Sequence, residues 1–200
     1  MTTYSLYRVL TFLAGPALRV YLYRRVTRGK EEKGRLRERF GIASRPRPAG
    51  PLVWLHAASV GESLSLLPLV EALRIREPAL NVLVTSGTVT SARLLQTRLP
   101  AEVIHQYNPI DRAAWVRRFL DHWQPDLALY VESELWPNLL GITQARGIPT
   151  GLLNARMSES SFRNWRRMPS FIHRLMAGFQ FCLAQNPTQA ERMAALGARN

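Results

Sequence analysis

Between positions 52 and 196, short apolar runs alternate with stretches in which apolar residues recur every three or four positions. The runs cover residues 52–55, 81–85, 102–105, 127–131, 150–153 and 179–184. Each has the length and the bounding turn residues of a buried strand. Helical spacing follows each run. One helix is predicted from Ser63, with Leu64, Leu67, Val70 and Leu73 near one face. Others are predicted over residues 91–98, over 111–123 with Asp111 as N-cap, and over 136–146 with Pro137 in the first turn and Gly147 as the stop. Two more are predicted over 162–176, interrupted at Pro169, and over 187–196 before Gly197. Strands alternating with helices predict an α/β domain over residues 52–200, a Rossmann-like, doubly wound, mostly parallel sheet.

The segment before this domain has a different pattern. Residues 4–26 (YSLYRVLTFLAGPALRVYLYRRV) are mostly apolar and aromatic, with Arg8 and Arg19 inside and Gly15-Pro16 in the middle. The apolar stretch is too short and too charged for a spanning helix, and no cleavage signal follows it. Tyr4, Tyr7, Tyr21 and Tyr23 stand at its ends like interfacial aromatics. The basic tract Arg24, Arg25, Arg28, Lys30, Lys33, Arg35, Arg37 and Arg39 follows directly. This reads as a membrane-associated helix and basic segment over residues 1–42, lying in or dipping into an anionic bilayer. The same pattern also suits an amphipathic helix packed on its own domain, or a nucleic-acid arm. Of the three, an apolar lead into a basic tract favours lipid over nucleic acid as the partner. Residues 43–51 (ASRPRPAGP) read as a linker.

Charge sharpens the contrast. The chain carries +13, of which residues 1–50 hold +9 and residues 51–200 hold +4. The single cysteine, Cys182, excludes an internal disulfide and lies in an apolar run, so it reads as core. The four histidines, His56, His105, His122 and His173, are scattered, and no metal-ligand constellation is present. His56 reads as a structural histidine. No dinucleotide-binding or phosphate-binding glycine loop occurs, so neither a dehydrogenase nor an NTPase is indicated, and no cofactor is called for.

The predicted strands all end in polar clusters: His56 to Glu62, Thr85 to Thr88, Glu132-Ser133-Glu134, Asn154-Ala155-Arg156 and Gln185-Asn186. A parallel sheet gathers these ends along one crevice, where ligands bind in open α/β sheets. Two readings of Glu62 stand. It is a carboxylate held at a strand-to-helix turn for chemistry, or an acidic first-turn residue that merely favours the helix. Glu132, at the end of an apolar strand, is predicted to pair with Arg156 after the next strand. That pair either stabilises charge on a substrate or locks two loops together.

The motifs HAASVGES, ESELWPN, NARMSESSFRNW and LAQN, in this order and spacing, resemble the N-terminal half of the Kdo (3-deoxy-D-manno-octulosonic acid) transferases of lipopolysaccharide assembly. The segment GRLRERFG fits the same family after its anchor. The resemblance implies the N-terminal domain of a GT-B glycosyltransferase on the cytoplasmic face of the inner membrane. It implies inverting transfer of Kdo from CMP-Kdo to a lipid A precursor, with the acceptor held by this half and most of the donor by a second domain. It assigns Glu62 as general base and Glu132 to stabilising the transition state. The matched motifs also place Ser59, Gly61, Glu134, Asn154, Arg156 and Ser158 around the substrate. A lysine that the family carries in a GSxK-like motif after the LAQ strand is not found before Asn200, which implies a fragment or truncated product. The alternative is a membrane-bound Rossmann-like module that binds a lipid or small ligand without catalytic activity of its own.

Overall fold

A computed structural model describes residues 3–199. Its sheet has strands β1 Leu52–Ala57, β2 Asn81–Ser86, β3 Ile104–Tyr107, β4 Leu127–Val131, β5 Thr150–Ala155 and β6 Phe181–Ala184. The order across the sheet is β3-β2-β1-β4-β5-β6, with every neighbouring pair parallel. The chain winds outward from β1 to β3, then crosses back to β4 on the other side of β1. The switch point of this Rossmann-like sheet therefore lies between β1 and β4.

Strand alternation builds two cores. Val53, Leu55 and Ala57 of β1 pack with Leu66 and Val70 of α3 (Val60–Arg76) and Leu95 of α4 (Val89–Arg98). Leu52 and Trp54 point to the opposite face. There they meet α5 (Ala113–Trp123), α6 (Pro137–Ala145) and α8 (Pro169–Met176). Residues α7 Glu159–Arg166 and α9 Pro187–Ala195 complete the helices after β5 and β6. Trp54, Trp115 and Trp123 are fully buried, and the Trp123 indole N–H donates to Gln106 at 2.9 Å. A buried tryptophan needs such a polar partner for its one N–H.

The break expected at Pro169 within residues 162–176 separates α7 from α8, and Pro169 starts α8. Cys182, expected in the core, is only half-buried, because β6 is the edge strand.

The N-terminal segment departs furthest from expectation. It forms α1 (Thr3–Leu13), α2 (Gly15–Thr27) and a 3-10 helix (Lys33–Phe40). No helix among the described residues is long and apolar enough to cross a membrane. Tyr4 and Tyr7, expected at a bilayer interface, turn inward toward Phe171 at 6.2 and 6.4 Å between ring centres. Leu22 is fully buried, whereas Tyr21, Tyr23, Leu10, Phe12, Leu13 and Val20 are exposed. The segment thus packs on its own domain through one side and leaves an apolar side uncovered.

The basic tract is also not uniformly outward. Arg39 is buried, bonding Glu31 at 2.9 Å, the Asn108 carbonyl at 3.1 Å and the Gly87 carbonyl at 2.6 Å. Arg35 makes a two-pronged bond to Glu38 at 3.0 and 2.8 Å, and Glu38 in turn accepts from the Tyr107 N–H at 2.7 Å. Arg25 joins Glu31 at 3.0 Å. A buried carboxylate draws guanidinium groups inward because neither charge can be left dry and alone. Arg24, Arg28, Lys30, Lys33 and Arg37 remain exposed.

Asp111 does not cap its own helix. Arg112 occupies the N-cap of α5 without a side-chain bond. The Asp111 carboxylate instead accepts from the Asn138 and Leu139 N–H groups at the start of α6, at 3.0 and 2.7 Å, and from the Tyr7 hydroxyl at 2.7 Å. Free N–H groups at a helix start attract an anion wherever the fold delivers it.

Candidate functional site

The turn after β1 is built by Ser59. Its backbone is extended, and its hydroxyl accepts from the Glu62 N–H at 3.3 Å, so α3 begins at Val60 rather than at Ser63. Gly61 and Glu62 therefore lie in the first helical turn, as the bland reading of Glu62 required. Position does not exhaust its geometry. Glu62 is only 7% exposed, and its Oε2 accepts from the Ala58 N–H at 2.8 Å. Among the described residues its Oε1 has no hydrogen-bond partner. One oxygen is fixed at the start of the helix, and the other is available. Gly61 is exposed, and a side chain placed there would meet no atom within 4 Å. The space above the turn is open.

Across the switch point, β4 is followed by Glu132, whose φ of 60° is left-handed, and β5 carries Asn154 at 50°. Asparagine tolerates that region, but glutamate rarely adopts it. The Glu132 N–H still donates to the Leu153 carbonyl at 2.9 Å. The turn directs Glu132 to Arg156, whose Nε donates to Oε2 at 2.9 Å. The expected pair is thus formed, but Arg156 is 56% exposed, so the pair is a solvated rather than a buried one. Asn154 is half-buried with no side-chain hydrogen bond among the described residues.

Glu134 turns back toward β1. It accepts from the Trp136 indole N–H at 2.6 Å and approaches His56 Nε2 at 3.5 Å. His56 is fully buried. Thr85 Oγ1 accepts from Trp54 Nε1 at 2.8 Å and lies 2.9 Å from His56 Nδ1. His56 Nε2 faces Glu134 without a hydrogen bond among the described residues. Burial by itself raises the Glu134 carboxyl, but the contacts with His56 and Trp136 outweigh it and hold it below its ordinary value. His56 is structural on its Thr85 side and part of the site on its Glu134 side.

Ser158, expected at the substrate, is occupied in capping α7: its hydroxyl accepts from the Ser161 N–H at 3.2 Å. Asn186 likewise caps α9. The sheet thus brings together Ser59, Gly61 and Glu62 after β1 with Glu132 and Glu134 after β4. Arg156 follows beside them, and Asn186 lies one strand further out.

Other residues of the clusters and motifs named above have roles that only the fold shows. Gly87 lets the β2 turn approach β1, since a Cβ there would sit 2.8 Å from the Ala58 carbonyl oxygen. Asn138 of the WPN motif fastens that loop through bonds to the Asp111 carbonyl at 2.7 Å and Thr11 at 3.1 Å. Ala58, Gly87, Glu134 and Trp136 together line one side of a cleft of about 360 Å³.

This fold and site define a parallel Rossmann-like domain with carboxylates on both sides of its switch point. A 2.2 Å crystal structure of a protein described as a UDP-N-acetylglucosamine 2-epimerase from Listeria monocytogenes has the same fold at 14% identity. Its TM-score is 0.53, over 76% of this chain and 43% of that one. The family model for 3-deoxy-D-manno-octulosonic-acid transferase (kdotransferase) matches residues 34–200, and the chain belongs to that family. It is 38% identical to the 3-deoxy-D-manno-octulosonic acid transferase of Rickettsia bellii, over 98% of this chain and 46% of that protein. It is 40% identical to that of Rickettsia felis, over 74% and 32%. With that of Haemophilus influenzae it shares 31%, over 96% and 45%. The chain spans about half, or less, of the length of these relatives.

Proposed function

We propose that this chain is the acceptor-binding half of an inverting GT-B glycosyltransferase that moves Kdo from CMP-Kdo to a lipid A precursor. The observation that carries the reading is the Glu62 carboxylate, buried at a helix N-terminus on the switch point with one oxygen held and one free. In the proposed step, Glu62 takes the proton from the acceptor hydroxyl as that oxygen bonds the anomeric carbon of Kdo. The bond from that carbon to the phosphate oxygen breaks on the opposite face, and CMP leaves with the electron pair. A single positioned base suits such a displacement. Glu132, steadied by Arg156, faces the positive charge that develops on the sugar. Ser59 sets the turn, Gly61 leaves room for the acceptor, and Glu134 and Asn154 offer hydrogen bonds to it. Ser158 acts through the α7 cap. CMP-Kdo is held mostly by a second domain.

The exposed apolar side of α1 and α2 and the free arginines beside it support attachment to an anionic membrane surface, the cytoplasmic face of the inner membrane in this reading. Calorimetry with this chain tests the acceptor assignment. The lipid A precursor is expected to bind with similar affinity to the wild type and Glu62→Gln, and CMP-Kdo much more weakly. Tighter binding of CMP-Kdo than of the lipid would contradict the reading.

A further inference from the structure

The cleft of about 360 Å³ lies between α1 and α2 on one side and the C-terminal edge of the sheet on the other. Its walls are mainly apolar, with Leu18 and Leu22 from α2, Pro109 and Ile110 after β3, and Trp136 after β4. Most polar groups in the lining are already engaged. Tyr7 is bound to Asp111, and Arg25 and Arg39 are bound to Glu31. Asn108 Oδ1 is a buried acceptor without a partner among the described residues. Ala58 belongs to the same lining, and its N–H is the group that fixes Glu62 Oε2, so the cleft ends beside the residue that holds the proposed base.

A concave, apolar pocket of this size calls for an apolar ligand group. The surface around it says which kind. The same two helices expose Val9, Phe12, Leu13 and Val20, and residues 3–30 contain Arg8, Arg19, Arg24, Arg25, Arg28 and Lys30 but no acidic residue. An apolar cleft walled by helices whose other face is apolar and cationic complements an anionic amphiphile. We propose that the cleft takes one acyl chain of the membrane-embedded acceptor lipid and so directs its sugar toward Glu62. This rests on the acceptor reading of the site given above.

The test is calorimetry of the full chain with alkyl phosphates of roughly six to fourteen carbons, kept below micelle formation. Affinity is expected to rise about fourfold per added methylene and then level off once the cleft is full. Leu18→Trp, which fills the cleft, is expected to lower affinity at least about tenfold. Leu10→Ser is expected to leave it unchanged, because Leu10 is exposed outside the lining. Leu18→Ala widens the cleft and should move the plateau to longer chains, which keeps the test decisive if Leu18→Trp misfolds. An affinity that never levels off and is the same in both Leu18 variants would mean adsorption to the exposed helices, and would overturn the proposal. So would the absence of binding. Alkyl phosphate binding requires no transfer, so a filled cleft beside an active Glu62→Gln enzyme would sink only the base assignment.

Discussion

Glu132 holds a left-handed backbone at φ 60° that costs a non-glycine residue about 1 kcal/mol or more. The Arg156 pair does not offset this by itself, since a pair with one partner more than half exposed contributes about 0–1 kcal/mol. Strain kept without a structural return points to a use of the side chain. Glu132→Gly is therefore expected to hold or raise the melting temperature while lowering turnover of the complete transferase. Glu132→Gln should also lower turnover, with little change in acceptor affinity. A Glu132→Gly protein that melts lower and transfers normally would make the residue structural. The pairing of Glu132 with Arg156 was legible because both follow apolar runs of neighbouring strands. The approach of His56 to Glu134 was not, because only the sheet order sets β1 beside β4. The capping role of Ser158 was not legible for a local reason: whether a serine caps a helix depends on a helix start that spacing fixes only to within a few residues.

Among the elements, β3 and the 3-10 helix are joined by His105. Its Nε2 meets Ser86 at 2.9 Å, and its Nδ1 and carbonyl face the Arg35 guanidinium at 3.2 and 3.1 Å. Burial, then the charges of Arg35 and Arg39, push this imidazole from 6.5 down to about 3. In the unfolded chain it takes a proton near 6.5, whereas the folded form resists until about 3. Between these values the unfolded state binds more protons, so stability is lost as pH falls. The contribution has a slope of at most about 1.4 kcal/mol per pH unit. His105→Asn is expected to flatten unfolding free energy across this window in denaturant titrations. An unchanged slope would place the acid sensitivity elsewhere. The strands themselves were readable from their apolar runs, with ends shifted by a few residues. What the pattern did not carry was long-range polar pairing: Asp111 looks like the cap of α5 in sequence and caps α6 in the fold.

For the whole molecule, the uneven charge acquires a shape. Part of the N-terminal positive charge is spent inside, on Glu31 and Glu38, and the rest surrounds the exposed apolar side of α1 and α2. Flotation with anionic vesicles is expected to recover the chain more fully than with neutral ones, and salt should weaken the electrostatic share but not the apolar share. Equal recovery from neither kind of vesicle would contradict the membrane reading. The doubly wound layout and the gathering of motifs at one edge followed from strand–helix alternation, because parallel sheets leave few other arrangements. The packing of α1 and α2 on the domain did not, since an apolar helix face looks alike whether protein or lipid covers it. The central claim is that Glu62 removes the acceptor proton. It is tested most directly by turnover of Glu62→Gln in the complete transferase, with CMP-Kdo and lipid A precursor. The glutamine can still accept from Ala58, so the melting temperature should change little, while turnover falls about a hundred- to ten-thousand-fold. Transfer at a near wild-type rate would contradict the account and leave Glu62 as a first-turn residue of α3.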